Sequence, residues 1–160
     1  MYQVGILTAS DRCFNAQRED VSGLLIRTIL KETEDFWDKE YTVLPDNQSL
    51  LESTMVKWAD ELHLDLILTT GGTGFSHRDV TPEATLNIIE RRTPGIPEAM
   101  RQESLKITGR AMLSRAEAGI RGNTLIVNLP GNPKAITETL AYILPHIKHG
   151  LDILKGTGDD

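Results

Sequence analysis

The sequence contains a single cysteine, Cys13, among its 160 residues. One cysteine excludes an internal disulfide and any metal site built from several cysteines. The chain has no run of about 18 apolar residues, the length that a membrane span needs. Its first residues do not pair a basic stretch with a long apolar one, as a secretory signal does. These absences predict a soluble, cytoplasmic protein that does not contact a membrane.

Positive charge is also scarce, because 17 Lys and Arg stand against 23 Asp and Glu, for a net charge of −6. A general nucleic-acid binder must neutralise many phosphates, so this balance argues against a nucleic-acid partner. It remains compatible with a local basic pocket for one small anionic ligand. The length suits one domain, which we expect to cover residues 1–160.

Several common catalytic motifs are missing. The dinucleotide-binding fingerprint lacks its third glycine, because His77 stands at that position, and no Gly-Lys-Ser/Thr follows the glycines to form a phosphate-binding loop. No Gly-x-Ser-x-Gly elbow is present, which disfavours a serine hydrolase. The four histidines lack the spacing of metal ligands, which disfavours a zinc site.

Short apolar runs alternate with segments of helical periodicity along the whole chain. The runs at 2–10, 41–46, 64–70 and 123–130 are predicted strands. They are apolar throughout rather than at every second residue, which is typical of strands covered on both faces. The sequence therefore predicts an α/β fold with a mostly parallel sheet between helices.

The helix boundaries follow from capping signals. Ser49 and Glu52 form a possible capping box for a helix that reaches about Leu62. Thr81 is the predicted cap of a helix that starts with Pro82, and a further helix is expected from about Glu98. Asn132 is the predicted cap of the last helix, which Pro133 opens. Two apolar helix faces are predicted, one at Val21, Leu24, Leu25, Thr28 and Ile29 and the other at Ile136, Leu140, Ile143, Leu144 and Ile147.

Small and charged residues follow each predicted strand, in the segments SDR, PDN, GGTGFSHRD and LPGNP. Ligands of such folds bind beyond the carboxyl ends of the strands. The glycines of 71–74 either present bare N–H groups to an anion or only form a tight turn with positive φ angles. Neither interpretation is favoured by composition alone.

Arg78 and Asp79 precede a helix start, where Arg binds phosphate and a carboxylate needs a cation such as Mg²⁺ between itself and the anion. The alternative is a surface ion pair between these two residues. Asp46 is expected at the same edge as Asp79, although a lone Asp after Pro is often only a turn residue. Two carboxylates around Mg²⁺ suit phosphoryl or nucleotidyl transfer.

The strings TTGGTGFSHRDVTPEAT and GIRGNTLIVNLPGNPKA, with MRQESLK and AMLSR between them, resemble the molybdopterin adenylyltransferase family. This family includes the G domain of gephyrin and its plant counterpart, and the resemblance covers nearly the whole chain. It implies a three-layer α/β/α sandwich that forms homotrimers. It also implies transfer of AMP from ATP to the terminal phosphate of molybdopterin, with Mg²⁺ and release of pyrophosphate, in molybdenum cofactor synthesis.

The resemblance also assigns roles to individual residues. The catalytic and metal-binding carboxylates would be Asp46 and Asp79. The chain has no room for a molybdate-inserting domain, so the product would pass to a separate protein. The expected substrate-binding residues, to which we add Arg78 for its phosphate chemistry, are Asp11, Gly71, Gly72, Thr73, Gly74, Arg78, Ser114, Asn128, Pro130 and Gly131.

One alternative is a module of the same fold that binds molybdopterin without adenylating it, or that serves as a trimeric scaffold. The presence of both Asp46 and Asp79 favours the enzyme. A "B-type" sister group of the family shares GGTG but departs around RDVTP, which is intact in this chain. A flavodoxin-like nucleotide binder is weakened because no second dinucleotide feature is seen.

Overall fold

A computed structural model of the protein describes residues 1–158. One six-stranded sheet has the order β2-β1-β3-β6-β5-β4. A 3-10 turn at Gly109–Leu113 precedes β5. The helices and strands in chain order are β1 (Tyr2–Ala9), α1 (Asp11–Phe14), α2 (Val21–Lys31), β2 (Phe36–Leu44), α3 (Gln48–Asp60), β3 (Leu66–Thr70), α4 (Thr81–Ile88), β4 (Arg91–Arg92), α5 (Gly95–Leu105), β5 (Ala118–Arg121), β6 (Thr124–Leu129) and α6 (Pro133–Leu154).

The four predicted strands are confirmed, and all four run parallel. The second one differs in its bounds, because β2 begins at Phe36 rather than at residue 41, and Phe36 is its one buried residue. Ile6 of β1 pairs with Leu68 of β3, which in turn pairs with Val127 of β6, while β2 pairs along the other side of β1. The prediction missed β4 and β5, which extend the sheet antiparallel to β6. The carboxyl ends of β1, β2, β3 and β6 therefore meet at one edge.

Helices cover both faces of the sheet, which confirms the three-layer α/β/α sandwich. One face packs against α2, α5 and α6, and the other packs against α3 and α4. The predicted apolar face of α6 is confirmed, since all of its members are buried: Ile136, Leu140, Ile143, Leu144 and Ile147.

The predicted apolar face of α2 is wrong in part. Val21 and Leu24 are 52% and 40% exposed, and the buried residues are Gly23, Ile26 and Leu30. Gly23 faces the sheet because the helix approaches it closely there, and an added Cβ would lie 2.6 Å from the Thr8 hydroxyl. Glycine does not count as an apolar residue in a helical pattern, so Gly23 was not recognised as buried. The predicted apolar face of α2 is therefore rotated by about one residue from the buried face.

Three predicted helix starts also differ from the structure. Asn47, not Ser49, caps α3 and accepts a hydrogen bond from the N–H of Leu50, because the helix begins two residues earlier. Val80 precedes α4, whose first residue Thr81 donates its hydroxyl to the Gly71 carbonyl instead of capping the helix. Helix α5 begins at Gly95, ahead of the predicted start.

The cap of α6 is confirmed, since Asn132 accepts a hydrogen bond from the N–H of Lys134. Across residues 1–158, no helix has both the length and the apolar character needed to cross a membrane.

We expect Asn47→Ala to lower the free energy of unfolding by about 1 kcal/mol, because the N–H of Leu50 then loses its acceptor. Ser49→Ala is the matched control, since Ser49 lies inside α3 and is equally exposed. Urea unfolding of both variants measures the difference. A larger loss in Ser49→Ala than in Asn47→Ala would contradict this assignment of the cap.

Candidate active site

The loops after β1, β2, β3 and β6 enclose a cavity of about 840 Å³, which we call the polar cavity. The edge of the sheet thus gathers residues from Thr8 to Pro133, which lie far apart in sequence. Seven of the predicted site residues line the polar cavity: Asp11, Asp46, Gly71, Gly72, Arg78, Asp79 and Gly131.

Asp11 and Asp46 are joined by two reciprocal hydrogen bonds. The N–H of Asp11 donates to Asp46 Oδ2 at 3.1 Å, and the N–H of Asp46 donates to Asp11 Oδ1 at 3.0 Å. Each carboxylate thereby fixes the backbone that carries the other. The pair ties the end of β1 to the end of β2 at the rim of the polar cavity.

Arg78 also binds Asp11. Its Nε and Nη2 donate to the two carboxylate oxygens of Asp11 at 3.0 and 2.9 Å, in the bidentate geometry that suits Arg and a carboxylate. These hydrogen bonds from Arg78 lower the pKa of Asp11 below its ordinary value. The alternative of an Arg78–Asp79 ion pair is therefore replaced by an Arg78–Asp11 pair.

Asp46 keeps one oxygen free. Its Oδ1 is buried and has no hydrogen-bond partner among the described residues. Burial raises the pKa of Asp46, and the nearby charges of Asp11 and Asp79 add to the increase. A buried carboxylate oxygen without a partner is costly. A buried carboxylate oxygen of this kind is suited to bind a cation that enters with the substrate.

Asp79 lies in the turn that precedes α4. Its Oδ2 accepts a hydrogen bond from the N–H of Ser76 at 3.0 Å, and its own N–H donates to the Ser76 carbonyl at 2.9 Å. Asp46 and Asp79 both line the polar cavity. The pKa of Asp46 is raised mainly by burial, and the negative charge of Asp79 adds to the increase. The structure therefore places the two predicted metal-binding carboxylates in one cavity.

The glycine turn after β3 requires glycine at its first two positions. Gly71 and Gly72 have φ angles of 88° and 71°, which L side chains rarely adopt. A Cβ on Gly71 would lie 2.3 Å from the carbonyl oxygen of Ala9, and one on Gly72 would lie 3.2 Å from the free Oδ1 of Asp46. The tight turn with positive φ angles is therefore confirmed, and it brings bare backbone beside the carboxylate. Anion binding by its N–H groups stays a prediction.

Arg115 holds the loop that carries Asp79, and sequence analysis missed it. Its Nη1 donates to Glu83 at 2.6 Å, its Nε donates to the Gly74 carbonyl at 2.8 Å, and its Nη2 donates to the Asp79 carbonyl at 2.9 Å. One guanidinium thus fixes both ends of the 74–79 loop. The only sequence signal was its place in AMLSR, where an isolated arginine gives no local indication of its partners.

A second cavity, of about 450 Å³, adjoins the polar cavity at Gly131 and Asn132, which line both. Apolar side chains such as Met100 and Ile107 line much of it. The predicted substrate-binding residues that line this second cavity are Thr73, Ser114, Pro130 and Gly131.

Two predicted residues reach neither cavity. Asn128 is fully buried in β6, where its amide donates to the hydroxyls of Thr69 and Thr85 and its oxygen accepts from the N–H of Glu117. It therefore supports the strands behind the site. Gly74 contributes its carbonyl to Arg115.

The polar cavity carries an excess of negative charge. Five carboxylates against three arginines leave an excess of two negative charges before any phosphate enters. Within residues 1–158, no cluster of three or more His, Cys, Asp or Glu side chains is arranged to bind a metal ion. A cation in the cavity would thus need oxygens from its ligand as well as from Asp46 and Asp79. The charged lining consists of Asp11, Glu19, Asp20, Asp46, Asp79, Arg12, Arg18 and Arg78.

We expect Arg115→Lys to lower the free energy of unfolding by about 1–2 kcal/mol, because an ammonium cannot reach the acceptors that the guanidinium fork joins. Arg91→Lys is the control, since Arg91 is exposed on an edge strand. Denaturant unfolding measures both variants. Equal stability of Arg115→Lys and wild type would show that the fork does not hold the loop.

The Glu83–Arg115 pair predicts a pH dependence of stability. Hydrogen bonds from Arg115 lower the pKa of Glu83 in the folded state. The pair therefore stabilises the fold above the unfolded-state pKa of Glu83, and this contribution is lost as the pH falls through its folded-state pKa. We expect the stability difference between wild type and Glu83→Gln to shrink from pH 7 to about pH 3. A difference that grows as the pH falls would contradict the sign.

Comparison with known proteins identifies the family. The family model described as a probable molybdopterin binding domain matches residues 5–149. The molybdopterin adenylyltransferase of Helicobacter pylori strain J99 is 43% identical over 154 residues, which cover 96% of this chain and 88% of the relative.

Two solved structures share the fold. The molybdopterin biosynthesis enzyme MoaB from Thermus thermophilus has a TM-score of 0.92 and 45% identity, and the match covers 99% of both chains. The molybdopterin biosynthesis Mog protein from Mycobacterium ulcerans has a TM-score of 0.89 and 33% identity, and the match covers 96% of this chain and 99% of that one. The resemblance noted in the sequence is confirmed: this chain belongs to the family of the probable molybdopterin binding domain.

Proposed function

We propose that the protein is a molybdopterin adenylyltransferase, which transfers AMP from Mg²⁺-ATP to the terminal phosphate of molybdopterin. The observation that carries the proposal is the buried Oδ1 of Asp46, which has no hydrogen-bond partner within residues 1–158. It lies beside the glycine turn in a cavity shared with Asp79. The name of the Helicobacter pylori relative supports the same reaction.

The reaction forms one phosphoanhydride bond and breaks another. An oxygen of the pterin phosphate attacks the α-phosphorus of ATP, and the bond from that phosphorus to the α,β-bridging oxygen breaks. The electron pair of the broken bond leaves with pyrophosphate. No general base is required, because a terminal phosphate is already anionic near neutral pH. The protein therefore acts by positioning the reactants and by balancing charge.

The two adjoining cavities suit these substrates. The second cavity offers apolar walls at Met100 and Ile107 for a flat ring system, and the polar cavity offers the glycine turn and arginines for phosphates. They meet at Gly131, whose carbonyl is held by the Ser22 hydroxyl at 2.6 Å. A ring bound on one side of this turn can thus extend its phosphates to the other.

The residues present fit a magnesium ion. Mg²⁺ is usually held by one or two carboxylates together with substrate phosphates and water. Asp46, with its free oxygen, and Asp79 would hold it, and the excess negative charge of the polar cavity favours a cation. When bound, the ion neutralises charge that shifts from the α-phosphate to the leaving pyrophosphate.

The other residues act on these two carboxylates. Asp11 holds Asp46 through the reciprocal hydrogen bonds, and Arg78 holds Asp11. Arg115 holds the backbone of Asp79 from the opposite side. We therefore propose that Asp11 and Arg78 mainly position Asp46, rather than bind substrate directly as the sequence predicted.

The remaining parts of the proposal rest on the family resemblance. We infer a single domain, a homotrimer in the cytoplasm, and transfer of the product to a separate molybdate-inserting protein.

The decisive assay incubates the pure protein with molybdopterin, ATP and Mg²⁺ and measures pyrophosphate and AMP-linked pterin. The enzyme releases pyrophosphate only when the pterin is present. A module that binds molybdopterin without reacting would show pterin affinity and no pyrophosphate, and this outcome would refute the proposal.

We expect Asp46→Asn and Asp79→Asn each to lower the single-turnover rate by about 10²–10³, or about 3–4 kcal/mol, the usual effect of removing one preorganised electrostatic group. Pterin affinity should remain, because the pterin phosphate is itself an anion. Asp35→Asn, at an exposed position ahead of β2, is the matched control and should keep wild-type rates. Wild-type rates in Asp79→Asn would refute the metal-site assignment.

A further inference from the structure

The loop between β1 and α2 forms one wall of the polar cavity and carries two arginines, Arg12 and Arg18. Arg12 lies in the short helix α1, and Arg18 follows the turn at Ala16, whose φ angle is 58°. The sequence analysis singled out the segment SDR but assigned no role to Arg12 or Arg18. Both side chains belong to exposed residues.

Arg12 and Arg18 are the available cations of the cavity. Its third arginine, Arg78, already donates Nε and Nη2 to Asp11. Within residues 1–158, Arg12 and Arg18 take part in no ion pair. In this part of the chain, two guanidinium groups without counter-ions therefore line a cavity whose carboxylates outnumber its arginines.

The loop is anchored at both ends, so the two arginines project from a fixed base. Ser10 caps the first end by accepting from the N–H of Cys13 at 3.2 Å. Asp20 caps α2 at the other end, where it accepts from the Thr8 hydroxyl at 2.7 Å, from the N–H of Gly23 at 3.0 Å and from the Tyr41 hydroxyl.

We propose that Arg12 and Arg18 bind the β- and γ-phosphates of the nucleotide and hold the departing pyrophosphate. This inference rests on the proposed adenylyl transfer, in which the α-phosphate lies near Asp46 and Asp79. The β- and γ-phosphates then need cations from another wall of the cavity. Planar guanidinium groups bind phosphate oxygens in bidentate fashion, which a lysine cannot do.

With Arg12 and Arg18 on the β- and γ-phosphates, the loop between β1 and α2 distinguishes a nucleoside triphosphate from a monophosphate. AMP lacks the two phosphates that Arg12 and Arg18 bind, so its affinity does not depend on them. The pterin phosphate, which attacks the α-phosphorus from the side opposite to the leaving group, is likewise independent of the loop.

The test measures the affinity of magnesium pyrophosphate, ATP, AMP and molybdopterin for wild type, Arg12→Ala and Arg18→Ala by calorimetry. We expect pyrophosphate and ATP to bind about 10–100-fold more weakly to each variant, with unchanged AMP and pterin affinity. Arg12→Lys and Arg18→Lys should give intermediate values, because they keep the charge and lose the bidentate geometry. Arg91→Ala, at an exposed arginine on β4, is the matched control.

The possible outcomes distinguish a failure of the phosphate-binding inference from a failure of the proposed function. Unchanged pyrophosphate affinity in both alanine variants would overturn the inference, even where the wild type adenylates the pterin. An equal loss of pyrophosphate, AMP and pterin affinity would also overturn it, since that result indicates a general structural role. Pyrophosphate binding that depends on the arginines in a protein without transferase activity would support Arg12 and Arg18 as a polyphosphate site and refute the proposed adenylyl transfer.

Discussion

The reciprocal hydrogen bonds between Asp11 and Asp46 are the contact on which the site depends. Parallel pairing of β1 and β2 brings the ends of these strands together, and each carboxylate then binds the N–H of the other residue. Arg78 binds both oxygens of Asp11, while Oδ1 of Asp46 is buried and has no hydrogen-bond partner within residues 1–158. Without this pairing, the Asp46 carboxylate at the rim of the polar cavity would have no fixed position.

The arginines around the polar cavity have two different roles. Arg78 and Arg115 are engaged with protein acceptors and hold Asp11 and the 74–79 loop, whereas Arg12 and Arg18 line the cavity without counter-ions among the described residues. Rigid carboxylates on one wall and free cations on another suit a ligand that combines phosphates with a metal ion. The parallel sheet fixes the positions of the loops, and the loops carry the charged side chains of the site.

Sequence patterns predicted the parts of the molecule that depend on local signals. Strands β1, β3 and β6 were found because they are mostly apolar, whereas only the end of β2 was found, because its first half contains charged residues. The cap at Asn132 was found because Pro133 follows it. The partner of Arg78 was not predictable, because Asp11 lies 67 residues away and only the strand order brings them together. The same reason explains why Arg115 was missed.

Asn128 was expected to bind substrate, but the structure places it inside the sheet. The family pattern alone does not distinguish a residue that binds substrate from one that packs between strands.

The central claim is that this cavity transfers the α-phosphate of ATP, with its adenosine, to the pterin. The most direct measurement uses ATP radiolabelled either at the α-phosphate or at the γ-phosphate, and follows each label into the pterin product. The account predicts that the α label appears in the pterin and the γ label leaves with pyrophosphate. Transfer of the γ label to the pterin, or of neither label under saturating ATP and Mg²⁺, would contradict it.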